Sequence, residues 1–448
     1  MSSGDTWGWM VTTTDPTMMF ELSSPFTVGR DPSTCSLVIN EELYKQIDKT
    51  FQNQNYSWIS RRHFIVNKKT GEKRAVLTDL SMNGTWVNGV KVGMDRQMIL
   101  GHCSVISILD TDSECFRYID RDTMESLYTA SVTQKYIVGE VLGMGSTSVV
   151  RRGYKKVSGG EVKTYALKII SVKDDSTETE FRKQDSEIEI RIMKSVNHPC
   201  ILKLYDVVMT PKSVILVMER AVGGELFDAI VKDSNENKLS EHTVKVYFYQ
   251  IVHCVRHLHR MKLCHRDLKL ENILIGEDKI GEVSILKVTD FGFSKSCSGS
   301  CGPLKSYAGT PVYMAPEVFR LEHGLESENG DTFEDSYSSK VDCWSLGVIL
   351  YTMLCGKRPF SSGADLQKQI MAGRFRPMEG HHWDEVSAAA KALVTKLLDV
   401  DPETRWSADQ VIEHKWFIED EAAVNVAKAL MFMNKAEEDV ENFDNDKN

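Results

Sequence analysis

The sequence predicts a multidomain protein: an all-β sandwich or barrel, then an α+β unit in which a strand-rich lobe precedes a helical one. Three observations carry this. Short β-type runs broken by turn residues fill Phe26 to Leu109. Apolar strands between Ile137 and Ile170 are followed by 3.6-residue periodicity, as in Val244 to His259. Polar, weakly patterned residues 110–133 separate the two regions. At 448 residues the chain is long enough for about three domain-sized units.

In the first domain, placed at 1–112, the runs are Phe26 to Val28, Leu37 to Ile39, His63 to Val66, Ala75 to Leu77, Thr85 to Val87 and Val105 to Ile108. Asn67 to Gly71, Asn83-Gly84 and Asn88-Gly89 punctuate them, at the spacing of a sandwich. Residues 113–134 read as a linker with one short helix. The α+β unit spans 135–417, and its most apolar stretch, Trp344 to Cys355, is too short for a membrane span and reads as a buried helix. In the tail, 418–448, Ala423, Val426, Ala427, Leu430 and Met433 fit one amphipathic helix before a disordered acidic end.

Charge and cysteine content exclude several classes. The net charge is −10, but residues 419–448 carry −6 and residues 320–336 carry −5, which leaves +1 on the other 401. That is no basic footprint, so direct nucleic-acid binding is not expected, and neither is a membrane partner. The segment 320–336 reads as a solvated acidic loop that steers basic substrates. Met1 to Thr6 lack the basic and apolar regions of a signal peptide. Ten cysteines without a CxxC pair or zinc spacing suggest reduced thiols in the cytosol or nucleus, with Cys297 and Cys301 as incidental neighbours.

Five motifs follow one another in the α+β unit. Gly143-Met144-Gly145-Ser146-Thr147-Ser148-Val149-Val150 is a glycine loop with Ser148 at its third glycine position, and Tyr165-Ala166-Leu167-Lys168 puts a lysine at the end of an apolar strand. His265-Arg266-Asp267-Leu268-Lys269-Leu270-Glu271-Asn272, Asp290-Phe291-Gly292 and Ala315-Pro316-Glu317 complete the set. Each alone has a bland reading as a turn or a solvated side chain; together, in this order, residues 136–417 resemble a eukaryotic serine/threonine protein kinase, an α+β bilobal fold. Phosphoryl transfer is chiefly positioning and charge neutralisation around ATP.

The resemblance assigns the roles. Leu142, Gly143, Gly145, Val150 and Ala166 would line the nucleotide, with Lys168 on its phosphates. Met218 would be the gatekeeper, with Glu219 to Ala221 as the adenine hinge. Glu187 and Glu189 both qualify by position as the acid partner of Lys168, and the alignment favours Glu189. Asp290 and Asn272 would hold Mg²⁺. Asp267 would accept the substrate hydroxyl's proton while Lys269 steadies the γ-phosphate. Arg405 is implied to pair with Glu317 as scaffold. Glu225 and Glu271 match acids that meet an arginine three residues before the target Ser or Thr. Ser306 and Thr310 are the activation-loop acceptors, whose phosphate would pair with Arg266.

The first domain carries Val28-Gly29-Arg30-Asp31, Ser60-Arg61-Arg62-His63 and Asn83-Gly84-Thr85-Trp86-Val87-Asn88-Gly89. In this order they resemble the forkhead-associated (FHA) domain, a phosphothreonine reader, with an extra loop or helix at 41–56. Arg30, Ser60 and Arg61 would take the phosphate and Asn83 the peptide backbone, whereas His63 and Gly29 read as structural and Arg62 as solvated. The whole chain is similar to the checkpoint kinase 2 family of DNA-damage effectors. That implies ATP and Mg²⁺ as cofactors, phosphothreonine proteins as partners and a nuclear location. Two features depart from the family. There is no cluster of Ser-Gln and Thr-Gln sites ahead of the reader, Thr133-Gln134 being the single such dipeptide, and the tail is acidic rather than basic. A phosphorylated Thr133 docking into the Arg30 site of a second copy would give a homodimer during activation. Intact Lys168, Asp267, Asn272 and Asp290 argue against the alternative of a silent adaptor, whereas the motifs do not discriminate the second alternative, an active forkhead-associated kinase of another pathway.

Overall fold

The computed structural model describes residues 6–23, 25–47, 56–69, 71–145, 148–157, 159–172, 187, 189–232, 239–291, 295–296, 311–322 and 339–445. They form two compact units, Met1–Asp174 with Tyr205–Glu219, and Asp175–Leu204 with Arg220–Asn448.

The first unit opens with a two-sheet sandwich. Its strands are β1 (Gly8–Thr12), β2 (Met19–Leu22), β3 (Phe26–Gly29), β4 (Leu37–Val38), β5 (Phe64–Asn67), β6 (Ala75–Asp79), β7 (Thr85–Val87), β8 (Val90–Lys91), β9 (Gln97–Leu100), β10 (Val105–Ile108) and β11 (Glu114–Asp120). One sheet runs β2-β1-β11-β10-β7-β8 and the other β4-β3-β5-β6-β9. Met10, Val28, Phe64, Leu77, Ile106, Phe116 and Tyr118 meet in the core between them. Helix α1 (Glu41–Ile47) occupies the extra segment expected at 41–56 and buries Tyr44 and Ile47.

The span read as a linker differs from that expectation. Strand β11 lies inside it, pairing antiparallel with β1 and β10, and two helices follow, α2 (Arg121–Leu127) and α3 (Ala130–Thr133). The polar run Asp110-Thr111-Asp112 masks the strand in the sequence, because it is the turn that precedes it.

Strand β1 is buried along its whole length. Side chains alternate across a strand, so both of its faces are covered. Met10 enters the sandwich core, while Trp9 and Val11 join a second cluster with Ile119, Met124, Val132, Tyr136, Val138, Tyr154 and Leu167. The last four belong to the sheet β12 (Ile137–Met144), β13 (Ser148–Lys156), β14 (Val162–Ser171), β15 (Leu204–Met209) and β16 (Ser213–Met218), ordered β12-β13-β14-β16-β15, and to its leading edge. The sandwich and this second sheet thus share one apolar core. At its polar margin Glu140 lies 2.8 Å from Arg152 and 3.5 Å from Arg117, and Tyr154 Oη donates to it at 3.2 Å. Asp120 caps α2 by accepting the Thr123 N–H, and also accepts from Tyr118 Oη at 2.7 Å and Lys68 Nζ at 3.2 Å.

The second unit is mostly helical. Residues 189–195 form α4, followed by α5 (Glu241–Arg260), β17 (Leu263–Cys264), the hairpin β18 (Ile273–Ile280) and β19 (Val283–Val288), and β20 (Lys295–Ser296), which pairs with β17. Then come α6 (Pro316–Glu322), α7 (Lys340–Cys355), α8 (Leu366–Met371), α9 (Ala388–Leu397), α10 (Ala408–Ile412), α11 (Lys415–Ile418) and α12 (Glu421–Asn445). Helix α7 is buried from Val341 to Cys355, a span that includes the Trp344 to Cys355 stretch read as a buried helix. Arg405 and Glu317 form a buried bidentate pair at 2.7 and 2.9 Å, the scaffold contact that the resemblance implies.

Two expectations for the tail are corrected. Helix α12 continues through Asn445, so the acidic end is helical to that residue rather than disordered. Its buried face is Ala423, Val424, Ala427, Leu430 and Met431, whereas Met433 is exposed; the true stripe is rotated toward i and i+1 pairs on a broad face. Most of the acidic segment 320–336, the Cys297 and Cys301 pair, and Ser306 and Thr310 lie outside the described residues.

Candidate functional site

The small-lobe half of the nucleotide site is set by sheet register. In β12, β13 and β14, Gly143 faces Val150 and Val150 faces Lys168, while Ala166 pairs with Met218 of β16. Five predicted nucleotide contacts are therefore neighbours across successive strands. Ala166 and Met218 are buried, and Leu142 is exposed near the hairpin turn. Gly145 N–H donates to the Ser148 carbonyl at 2.8 Å, which closes that turn with Ser148 at the position where a third glycine was expected. Glu219 follows directly on β16.

The second unit brings together the catalytic residues predicted there. Asp267 Oδ2 accepts from Lys269 Nζ at 2.7 Å and from Asn272 Nδ2 at 2.9 Å. Asn272 Nδ2 also donates to the Asp267 carbonyl at 2.8 Å. The amide nitrogen of Asn272 is thus spent on the loop, which fixes the side chain so that Oδ1 is the remaining donor atom for a cation. Thr289 N–H donates to the Asn272 carbonyl at 3.0 Å, so the backbone ties Asn272 to the residue before Asp290. Asp290 itself has φ +70°, an uncommon conformation for a residue with a Cβ that the surrounding loop imposes. A carboxylate and an amide oxygen are hard donors of the kind Mg²⁺ takes, in company with substrate phosphates.

A buried carboxylate on α7 holds this loop from below. Asp342, on α7, is 1% exposed and accepts the backbone N–H groups of His265 at 2.9 Å and Arg266 at 2.8 Å and the His259 ring at 2.9 Å. These bonds hold its carboxyl below the usual range despite burial, which acts the other way. They also stabilise Arg266 at φ +68°. The His265 ring lies 5.0 Å from that of Phe291, tilted by 51°, and its Nε2 meets the Thr289 carbonyl at 3.1 Å. Glu189 lies on α4 and is buried, while Glu187 is exposed, the distribution expected of a functional and a surface acid. Ala221 is partly buried just ahead of Gly223-Gly224-Glu225, and Glu225 is exposed.

At one end of the sandwich three loops converge. Arg30 N–H donates to the Ser60 carbonyl at 3.2 Å and Asp31 N–H to the Arg61 carbonyl at 3.0 Å. Arg30 Nε donates to the Ile59 carbonyl, with its guanidinium 5.6 Å from the Tyr56 ring centre. Ser60 Oγ accepts the Met82 N–H at 3.3 Å, and Asn83 Nδ2 donates to the Trp58 carbonyl at 2.8 Å. Arg61 and Arg62 are exposed.

His63, fully buried, joins two of these loops. Its Nδ1 accepts the Ser60 N–H at 3.1 Å, so Nε2 carries the proton and donates to the Gly84 carbonyl at 3.1 Å. Burial pushes its pKa down to about 4. A Cβ on Gly29 would strike the Arg61 carbonyl, so only glycine allows that backbone approach. The predicted donors Arg30, Ser60, Arg61 and Asn83 are thus brought to one place. Sequence reasoning missed Tyr56 and Trp58, whose short 3₁₀ turn (Tyr56–Trp58) supplies the ring under Arg30 and the carbonyl for Asn83. The closely spaced aromatics Tyr56 and Trp58 beside Ser60 were the available signal.

Comparison with known proteins agrees with both halves. A protein kinase domain profile matches residues 136–417 and an FHA domain profile residues 26–109. The chain is 35% identical to the ovarian-specific serine/threonine-protein kinase Lok of Drosophila melanogaster, over 93% of this chain and 84% of Lok. It is 33% identical to the probable serine/threonine-protein kinase fhkC of Dictyostelium discoideum, over 94% of this chain and 66% of that protein. Among solved structures, a crystal structure of Rad53 1-466 in complex with AMP-PNP covers 92% of this chain and is itself covered to 99%, at 26% identity and a TM-score of 0.51.

Proposed function

The chain belongs to the protein kinases, as an FHA-domain serine/threonine kinase of the checkpoint kinase 2 family, and on that premise we propose that it is a phosphothreonine-recruited effector of DNA-damage or meiotic checkpoint signalling that acts in the nucleus. The observation that carries the reading is the bonded set Asp267, Lys269 and Asn272 in a chain that also gathers Arg30, Ser60, Arg61 and Asn83 at one end of a sandwich. The first set transfers phosphate and the second reads it.

In the transfer, Asp267 accepts the proton of the substrate's Ser or Thr hydroxyl as its oxygen attacks the γ-phosphorus and ADP leaves. Lys269, bonded to the same carboxylate, supplies positive charge where the transferred group passes. Asn272 holds Asp267 in place by two bonds. Asp290 and Asn272 would hold Mg²⁺, whose positive charge would neutralise the charge that develops on the transferred phosphate. Glu225 and Glu271 favour substrates with arginine three residues before the acceptor. Thr133, at the end of α3, is the residue whose phosphate would enter the pocket of a second copy and pair two molecules for exchange of phosphate on Ser306 or Thr310.

The test is transfer from Mg-ATP to an Arg-x-x-Ser/Thr peptide library by the purified full chain, against Asp290→Asn, with loop phosphates mapped by mass spectrometry. Transfer lost in the variant, together with phosphate on Ser306 or Thr310, is expected. No transfer even after loop phosphorylation by another kinase would overturn it. Binding of a peptide carrying phosphorylated Thr133, lost in Arg30→Ala, checks the recruitment arm.

A further inference from the structure

Four residues from four separate segments meet beside the catalytic loop, all within the second unit. Glu271 lies in the 3₁₀ turn Leu270–Asn272, four residues past Asp267. Phe227 lies two residues past Glu225, Tyr313 in the 3₁₀ turn Pro311–Tyr313, and Arg358 just beyond α7. Arg358 Nη2 is 3.2 Å from Glu271 Oε1, and its guanidinium stands 5.3 Å from the centre of the Phe227 ring. An aromatic face on one side and a carboxylate on the other is how a guanidinium is bound anywhere.

The other half of the carboxylate is left over. Glu271 Oε2 is buried without a hydrogen-bond partner, and so is Tyr313 Oη, on a side chain 6% exposed. Burial and the charge of Glu271 both push the Tyr313 hydroxyl's pKa up, which places the two groups in each other's field. A buried carboxylate oxygen that lacks a close hydrogen bond is costly unless a donor arrives, and the Tyr313 hydroxyl beside it does not supply one at bonding geometry. An incoming guanidinium is such a donor.

We propose that Arg358 is a resident occupant of the subsite for the substrate's arginine: it holds Glu271 Oε1 against Phe227 and leaves Oε2 to the incoming side chain, so it sets how strongly the kinase selects arginine. This rests on the reading above that Glu225 and Glu271 recognise a substrate arginine. An incoming arginine then meets a carboxylate already half neutralised, and the bidentate grip that distinguishes arginine from other residues is closed to it until Arg358 swings away. Arg358 is partly exposed, with 34% of its side chain accessible, so the swing is sterically open.

The experiment uses the full, loop-phosphorylated chain and two peptides that differ by arginine or alanine three residues before the acceptor serine. The ratio of their kcat/KM values is measured for wild type, Arg358→Leu and Arg358→Gln, with the alanine peptide reporting folded, active enzyme in each. The expected result is a ratio about tenfold higher in both variants, the size of one charge-assisted hydrogen bond in a partly exposed site, and a return toward the wild-type ratio when Glu271→Gln is added to Arg358→Leu. An arginine preference in wild type that neither variant alters overturns the proposal and leaves the substrate reading standing. No preference in wild type but a clear one in the variants supports it and shows that Arg358 masks the subsite. No preference in any of them overturns both.

Discussion

The catalytic loop and the pocket proposed for phosphothreonine would both manage phosphate charge, yet their side chains are deployed differently. In the loop the functional groups bond one another: Lys269 and Asn272 hold Asp267, and the buried Asp342 fixes the backbone beneath them. In the pocket Arg30 and Asn83 bond carbonyls of the neighbouring turn, while Arg61 projects outward. A catalytic carboxylate must be in place before the transition state forms. A reader's cations are needed only when the ligand arrives, and exposed donors gain binding energy from the phosphate itself.

The largest effect expected from this contrast is on chemistry alone. Asp267→Asn keeps the size of the side chain and removes the proton acceptor, so kcat should fall by about a thousandfold, within the usual range for a general base. Affinity of the reader domain for a phosphothreonine peptide, measured by fluorescence anisotropy on the same protein, should not change. A parallel loss of both would mean the two sites are not separate devices.

A second effect tests the buried part of the pocket. His63 is neutral in the fold, with its pKa lowered from 6.5 to about 4, so below pH 6.5 the unfolded chain takes up the proton first. Stability from this group is therefore full above about pH 6.5 and is lost as pH falls toward 4, about 3 kcal/mol in all. His198, also buried and lowered to about 3, acts in the same direction in the second unit. The measurement must therefore be local. Hydrogen exchange of the amides at Ser60 to Val66 and Ser81 to Thr85 should quicken between pH 6.5 and 4.5 after correction for intrinsic rates.

The same contrast explains what the sequence made legible. Candidate catalytic residues could be named because phosphoryl transfer tolerates few side chains at each position, and Arg30, Ser60, Arg61 and Asn83 because the FHA motifs sit in turns; the structure shows the loops that carry these four gathered at one end of the sandwich. Strand β1 was missed, although Gly8-Trp9-Met10-Val11-Thr12 is apolar, because a strand covered on both faces lacks the alternation that marks a half-buried one. Strand β11 was hidden in the same way, with Phe116 and Tyr118 in the sandwich and Ile119 in the shared core. Which elements lie on each side of a strand is a long-range property, absent from any short window. The bonds from Asp342 to the His265 and Arg266 amides were not legible, since they join residues 76 and 77 positions apart.

A third, smaller effect addresses the exposed donors. Arg61→Ala removes a cation without disturbing the backbone, because its structural contacts run through its carbonyl, which accepts Asp31 N–H and Cys35 Sγ. Phosphopeptide affinity should drop about tenfold to a hundredfold, the 1.5–3 kcal/mol of a hydrogen bond to a charged group, while the thermal midpoint of the protein stays within a degree or two. A large fall in stability would show that Arg61 is part of the scaffold.

The smallest effect is the most discriminating. Ser60 stands between the two modes of construction: its Oγ accepts the Met82 N–H, its N–H donates to His63, and its carbonyl accepts from Arg30. Only the first of these is lost in Ser60→Ala, and the Met82 amide is at the surface where water replaces the hydroxyl. The hydroxyl's proton is free to be donated, since Oγ acts as an acceptor in that bond. If it donates to phosphate, the variant should bind a phosphothreonine peptide about five- to tenfold more weakly, the value of one hydrogen bond, with unchanged stability and an unchanged salt dependence, because no charge has been removed. If Ser60 is instead a strut, the amides of Met82 and Asn83 should exchange faster and affinity for unphosphorylated and phosphorylated peptides should fall together. Titration with the two peptides at two salt concentrations separates these outcomes.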